Sequence, residues 1–289
     1  MKDIKIAIIG AGWYGCHLAY AFKKKGVDVK VFEKNSKIFN EASFYNQNRL
    51  HNGFHYPRSF KTRLQSKRGF RLFNIYYPEL ISDMDLSLYA IAENKSIIDF
   101  QTYKSIMSSS ELSFEDVSES VPIALNNIEG IIDTNEKIID SEKSKLFFEN
   151  KLEGVIIKDN KISLNEINKL KIDGYKIIDC TWNKIFSNKS FFYESTIIFK
   201  YLSKYQTNFG LTIMDGLFSS IYPINKKYAT LSDVEFTPFL KTSSYKNAYK
   251  AIQNIKSDMI NEIRKNMENK IIYYFPQFNE HFEFVEPIF

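Results

Sequence analysis

The chain has 289 residues, 44% of them hydrophobic and 25% charged, which excludes a disordered or low-complexity protein and leaves room for one large core or two modest ones. Its net charge of +5 is mild and its lysines are spread along the whole length, so it lacks the basic stripe of a nucleic-acid-binding protein and suits an anionic cofactor or substrate. No run reaches the roughly 18 apolar residues of a membrane span. The two cysteines, Cys16 and Cys180, form no disulfide framework, and with no signal peptide they predict a cytoplasmic location.

The first element is a strand, Ile4-Lys5-Ile6-Ala7-Ile8-Ile9, which runs into Gly10-Ala11-Gly12-Trp13-Tyr14-Gly15. This is the G-x-G-x-x-G spacing at the start of a helix. Gly10 permits the tight turn, Gly12 lets a diphosphate approach the main chain, and Gly15 lets the helix pack on the strand. The amide groups from Ala11 to Gly15 and the helix dipole then favour negative charge. His17 to Lys25 reads as the helix, with Leu18, Ala21 and Phe22 on its buried face and Gly26 as its C-cap. Val27, Val29 and Val31 alternate with Asp28 and Lys30 as a second strand, which ends at Phe32-Glu33. Glu33 stands where an acid accepts hydrogen bonds from ribose hydroxyls, and its charge argues against a 2′-phosphate. Cys16, at the helix start, is expected to be a packing residue rather than a redox thiol. The pattern points to a dinucleotide and leaves open which one.

Residues 41–59 hold two histidines, two arginines, three asparagines and a glutamine, an unusual density for a connecting loop. With Ala42-Ser43 after the ribose acid, and the run Asn46, Gln47, Arg49, His51, Gly53, His55, Tyr56, Pro57, Arg58, Ser59, the segment resembles the D-amino-acid oxidase-like superfamily of FAD-dependent oxidoreductases. Within it the run is most like flavoproteins of bacterial surface-polysaccharide gene clusters. The strand Lys176 to Asp179, continuing into Cys180-Thr181-Trp182-Asn183, is similar to the superfamily strand that returns to the cofactor, with Trp182 in place of the usual glycine.

Between these segments, Phe60 to Tyr76 predicts an amphipathic helix whose bases Arg63, Lys67, Arg68 and Arg71 read as solvated charge. Leu86 to Ala92 predicts a strand and Ile97 to Met107 a short helix. Glu129 to Asp133 resembles the strand by which the family re-enters its cofactor domain. Ser141 to Leu152 predicts a helix and Gly154 to Lys158 a strand. From Phe191 to Phe236 alternation predicts an antiparallel sheet, with a turn at Asp215-Gly216. Lys246 to Lys270 reads as one helix with Ile252, Ile255, Met259, Ile260, Ile263 and Met267 as a core stripe. No glycine follows Met267, so a glycine-bearing C-terminal cofactor segment of the family is expected to be missing.

The resemblance implies an α/β fold: a Rossmann-like FAD-binding domain of 1–85 and 125–190 and an antiparallel-sheet substrate domain of 86–124 and 191–289. It implies FAD as cofactor, held by Gly10, Ala11, Gly12, Trp13, Tyr14, Gly15, Glu33, Lys34, Ser43, Asn48, Arg49 and Thr181. His51 and His55 have the titration range for proton acceptance, and Tyr222 would close the site. Arg49 and Arg58 are suited to a carboxylate or phosphate, and Tyr56 joins Arg58 as a substrate contact. The expected partner is a small-molecule substrate, with no metal, no nucleic acid and no membrane span, and the oligomeric state stays open. The implied reaction is hydride transfer from an amine- or hydroxyl-bearing carbon to FAD. Two other readings stand beside it: a truncated accessory protein that binds FAD or ADP, and an NAD-dependent dehydrogenase.

Overall fold

The computed structural model describes residues 4–185, 191–205 and 208–289. In chain order its first elements are β1 (Lys5–Ile9), α1 (Trp13–Lys24), β2 (Asp28–Phe32), β3 (Arg49–Leu50), α2 (Phe60–Tyr76), β4 (Ile81–Ser82), β5 (Leu86–Ala92) and α3 (Phe100–Ser109). There follow β6 (Phe114–Asp116), β7 (Ile128–Thr134), β8 (Lys137–Ile139), α4 (Ser141–Lys151), β9 (Ile156–Ile157), α5 (Leu164–Ile172) and β10 (Tyr175–Asp179). The remainder is β11 (Tyr193–Thr196), β12 (Ile198–Ser203), β13 (Phe209–Met214), β14 (Ser219–Pro223), β15 (Tyr228–Asp233), β16 (Pro238–Thr242), α6 (Tyr245–Gln253), α7 (Ser257–Tyr274), α8 (Phe278–His281) and β17 (Phe282–Ile288). Among the described residues no helix is long and apolar enough to cross a membrane.

The chain divides into two compact units, Met1–Asn46 with Ser141–Phe191 and Gln47–Asp140 with Phe192–Phe289. The first is a four-stranded parallel sheet in the order β10-β1-β2-β9. Its central strand β1 is apolar and buried from Ile6 to Ile9, as a strand covered on both faces must be. Helix α1 begins at Trp13, earlier than expected, because the glycine turn itself supplies its first residues. Its buried face is Gly15, Cys16 and Ala19, while Leu18, Ala21 and Phe22 are only partly covered. Gly26 follows it with φ +71°, the left-handed conformation that closes a helix C-terminus.

The second unit holds an eight-stranded mixed sheet, β17-β12-β15-β14-β13-β5-β7-β6, in which only the β13–β5 pair is parallel. A three-stranded sheet β3-β8-β4 and a two-stranded pair β11-β16 complete it. Helix α7 lays Ile263, Met267, Ile271 and Tyr274 into the same core as Leu88, Phe199, Leu211 and Leu231, each fully buried side chain of that kind contributing about 1.5–3 kcal/mol.

Several expectations need correction. Residues 47–85 and 125–140 belong with the second unit, because β3 and β4 pair with β8 and β7 pairs with β5. Glu129 to Asp133 is therefore part of the large sheet and not a return to the parallel one. The domain end expected at residue 190 lies outside the described residues. Lys246 to Lys270 is two helices: Asn254, a poor helix former, caps α6, and α7 restarts at Ser257 with Asp258 in its favourable first turn. Met259 is exposed on α7. Helix α3 starts at Phe100, because Asp99 caps it by accepting the Thr102 amide at 2.8 Å.

Candidate functional site

In the first unit the site grows from the end of β1. The Gly10 amide donates to the Phe32 carbonyl at 2.8 Å, closing the turn onto β2, and Gly10 takes φ +98°. A side chain at Gly10 would meet the Cys180 carbonyl oxygen at 2.9 Å and the Thr181 methyl at 3.3 Å, so the turn and the end of β10 are brought together. Gly15 is the tightest position: a Cβ there would overlap the Gly10 carbonyl oxygen. At Gly12 the nearest atom is only the Ser43 hydroxyl, at 2.8 Å from a Cβ position. Gly12 is the N-cap of α1 and offers no side chain to its amides. The Ser43 hydroxyl accepts the Trp13 amide at 3.0 Å. A turn that admits only glycine at Gly10 and Gly15, at the N-terminus of a twelve-residue helix, matches what a diphosphate needs.

Glu33 is buried at the end of β2, and its carboxylate accepts from the Ala11 amide and from the Asn35 backbone and side chain, each at 2.9 Å. It thus ties the end of β2 to the glycine turn. Lys34 pairs with Glu41, which also accepts from Lys184 at 2.8 Å. Burial pushes the Glu41 carboxyl up, but the two ammonium groups outweigh it and hold it below the usual range. Thr181 binds Asp179 through its amide at 2.8 Å and its hydroxyl. The Tyr14 side chain is exposed, so Tyr14 offers this site its backbone. Cys16 is fully buried, and burial, helped by Glu33, pushes its thiol far up, which suits the packing role.

In the second unit a separate set of side chains converges. Arg49 on β3 donates through Nη2 to the Tyr89 hydroxyl at 2.8 Å and to Thr212 Oγ1 at 3.0 Å, and its guanidinium lies 3.8 Å from the centre of the Tyr222 ring. Gly210 makes room for that ring: a Cβ there would stand 2.9 Å from it. The Tyr89 hydroxyl donates to Glu136 Oε2 at 2.7 Å, and Glu136 Oε1 accepts the amides of Asn52 at 2.6 Å and Gly53 at 3.2 Å. His51 Nδ1 lies 3.6 Å from Glu136 Oε2. The His51, His55 and Tyr56 rings contact one another at 5.3–5.8 Å between centroids.

Burial pulls the Arg49 pKa down, but Tyr222, Tyr89 and Glu136 more than offset it, and the guanidinium stays charged. For Glu136 burial raises the pKa, while His51, Arg49 and Tyr89 hold it below the usual carboxylate range. Burial and then Arg49 lower both histidines, His55 strongly, with Glu136 opposing the shift at His51. Burial and the Arg49 charge therefore favour the neutral form of both rings. Arg49 Nε and His55 Nδ1 find no hydrogen bond among the described residues, while Tyr222 Oη has Thr212 and Tyr89 beside it and His51 Nδ1 has Glu136. Buried polar atoms without a partner are uncommon, and two of them stand together in this cluster.

Of the expected site residues, Gly10 to Gly15, Glu33, Lys34, Ser43 and Thr181 lie in the first unit, and Asn48, Arg49, His51, His55, Tyr56, Arg58 and Tyr222 in the second. Asn48, at φ +50°, gives its carbonyl to the Ile139 amide. Arg58, half-exposed, is already paired with the buried Asp215 through Nε at 2.9 Å. Glu136, Tyr89 and Thr212 were not foreseen, and Asp215 was read only as a turn residue. Their partners lie 40 to 163 residues away, so no local pattern reveals them. Arg63 was read as solvated and is buried, donating to Ser110 Oγ at 2.9 Å and to the Tyr56 and Pro57 carbonyls at 2.9 and 2.5 Å. It clamps the loop that carries His55 and Tyr56.

The family model described as FAD dependent oxidoreductase (DAO) matches residues 5–119. The FAD-dependent monooxygenase FPY4 of Fusarium mangiferae is 35% identical over a match spanning 98% of this chain and 78% of that protein. Among solved structures, glycine oxidase from Geobacillus kaustophilus superposes with a TM-score of 0.70 at 10% identity, over 98% of this chain and 81% of that one. L-alpha-glycerophosphate oxidase from Mycoplasma pneumoniae, with FAD bound, gives 0.64 at 15% identity, over 99% and 82%. These two share the fold, a parallel sheet with helices and a large antiparallel-rich sheet. With a relative at 35% identity over nearly its whole length and a family model matching residues 5–119, the chain belongs to the FAD-dependent oxidoreductases.

Proposed function

We propose that the enzyme oxidises a small anionic metabolite at a carbon bearing an amine or hydroxyl group. The observation that carries this reading is the Arg49 guanidinium, permanently charged, part-buried with its Nε fully covered, walled by Tyr222 and Tyr89 and without a partner at Nε. A carboxylate or phosphate meets its geometry and its charge. Arg58 is the weaker anchor, since Asp215 already neutralises it. In this reading the first unit is the FAD-binding domain, with the Gly10–Gly15 turn, Ser43 and the α1 amides for the diphosphate, Glu33 for the ribose, and Lys34 and Thr181 alongside. The second unit is the substrate domain. FAD, when bound, supplies the acceptor for a hydride.

The chain's own residues do the rest. Arg49 holds the anionic end, Tyr222 covers its guanidinium face, and Tyr56 lines the loop. A neutral histidine, His51 or His55, takes the proton that leaves the amine or hydroxyl. The test is a substrate panel mixed anaerobically with the purified yellow protein. Amino acids, 2-hydroxy acids and sugar phosphates are compared with their amides, esters and uncharged parents. Bleaching by acidic compounds alone is expected, and equal bleaching by neutral parents would overturn the assignment. Flavin that no compound reduces would favour a binding protein.

A second reading rests on the Fusarium relative, whose name is that of a monooxygenase. In that reaction one atom of dioxygen enters the product. Labelled oxygen in the product favours it, and hydrogen peroxide formed in step with substrate loss favours the oxidase.

A further inference from the structure

We infer that Glu136 is a positioning residue for proton acceptance at His51: its carboxylate fixes the His51 loop and selects the ring tautomer that leaves Nε2 as the base. The inference rests on the redox reading above and names the atom that takes the proton. Glu136 is almost fully buried and binds on both oxygens. Oε1 holds the amides of Asn52 and Gly53, the two residues that follow His51, at 2.6 and 3.2 Å. Oε2 accepts from the Tyr89 hydroxyl at 2.7 Å and faces His51 Nδ1 at 3.6 Å. Through Tyr89 the same carboxylate is tied to Arg49. One side chain thereby sets the loop's backbone, the ring's outlook and the neighbouring cation.

An ionised carboxylate only accepts, so the nitrogen facing it is the one that carries the hydrogen. The lone pair is then on Nε2. In the step itself the proton of the substrate amine or hydroxyl passes to His51 Nε2, and FAD, when bound, would supply the acceptor for the hydride from the adjoining carbon. The imidazolium so formed keeps Nδ1–H toward Glu136, which stabilises it as an aspartate stabilises the imidazolium of a hydrolase triad. The other groups around His51 are Arg49 on β3, which opposes protonation, and His55 and Tyr56 on its own loop.

The experiment is nitrogen-15 NMR of the histidine side chains in the full-length protein, with His51 assigned through His51→Asn. The wild type at alkaline pH should show His51 as the Nδ1–H tautomer. Glu136→Gln keeps an acceptor for the Asn52 and Gly53 amides but removes the charge. It should lower the His51 pKa by about one unit or more and erase the tautomer preference, while His17 and His281 stay put. An Nε2–H tautomer in the wild type, or an unmoved His51 pKa in a folded Glu136→Gln, overturns the inference. If Glu136→Gln does not fold, the wild-type tautomer decides alone. The flavin spectrum keeps the two proposals apart: a colourless wild type that FAD cannot reconstitute removes the redox reading whatever His51 shows. Yellow protein with Nε2–H removes only the role of Glu136.

Discussion

The glycine turn of the first unit and the Arg49–Glu136 cluster of the second both manage charge, by opposite means. From Gly10 to Gly15 the working groups are main-chain amides, arranged by residues adjacent in the chain, and the side chains matter chiefly by being absent. Around Arg49 the working groups are side chains from β3, β5, β13, β14 and the turn before β8, joined across as many as 163 residues. A backbone site is intolerant of added atoms. A side-chain site is intolerant of lost partners.

That contrast can be broken by substitution. The largest effect is expected at Gly15→Val, whose side chain has to occupy the space of the Gly10 carbonyl oxygen. Flavin should be lost on purification and the melting transition of the protein should fall steeply or vanish. Gly12→Ala, which meets only the Ser43 hydroxyl, should keep the fold and lose cofactor affinity alone. If the two variants behave alike, the cradle has been misread. Arg49→Met leaves the Tyr89 and Thr212 hydroxyls without their charged donor and should cost about 1–3 kcal/mol in urea unfolding, with Arg49→Lys recovering part of it.

Arg63 sharpens the comparison from within one helix. Arg63→Met leaves the Tyr56 and Pro57 carbonyls without a donor and should destabilise by about 1–3 kcal/mol. The exposed Arg68→Ala should stay within about 0.5 kcal/mol. Equal effects would mean that the loop is not clamped. Glu33→Ala removes the acceptor of the Ala11 and Asn35 amides and, in the proposed reading, a ribose partner, so titration calorimetry should show FAD affinity falling by about ten- to a hundredfold.

The smallest expected effect is with pH. The folded-state pKa values of His51 and His55 lie below the unfolded value of about 6.5, so the unfolded chain takes up protons first as the solution is acidified. Their contribution to stability is whole above that value and is lost as pH falls below it, by at most about 1.4 kcal/mol per pH unit for each ring. His55→Gln should flatten this limb in denaturation measured from pH 7 to 5. A limb of unchanged slope would contradict the burial of that imidazole.

How much of this could be read from the chain follows the same division. The β1–α1–β2 unit, the Gly10 turn and Glu33 were legible because strand period, glycine spacing and the acid all lie within thirty residues. The loop from Arg49 to Arg58 was legible as a cluster but not in its partners. Nothing near Tyr89 marks it as polar machinery, because it sits in a strand buried on both sides. Glu136 sits in a turn where an acid is ordinary. Arg63 shares a helix with truly solvated bases, and only the tertiary fold distinguishes it. Unit boundaries were missed for a related reason: pairing of β3 and β4 with β8 is a long-range event that local pattern does not encode.

The most direct test of the central claim is the cofactor of the freshly purified wild-type chain, read by its absorbance and by the nucleotide released on denaturation. FAD in stoichiometric amount, absent from Gly15→Val and not displaced by NAD, is the result predicted. A colourless protein that takes up NAD but not FAD would contradict it.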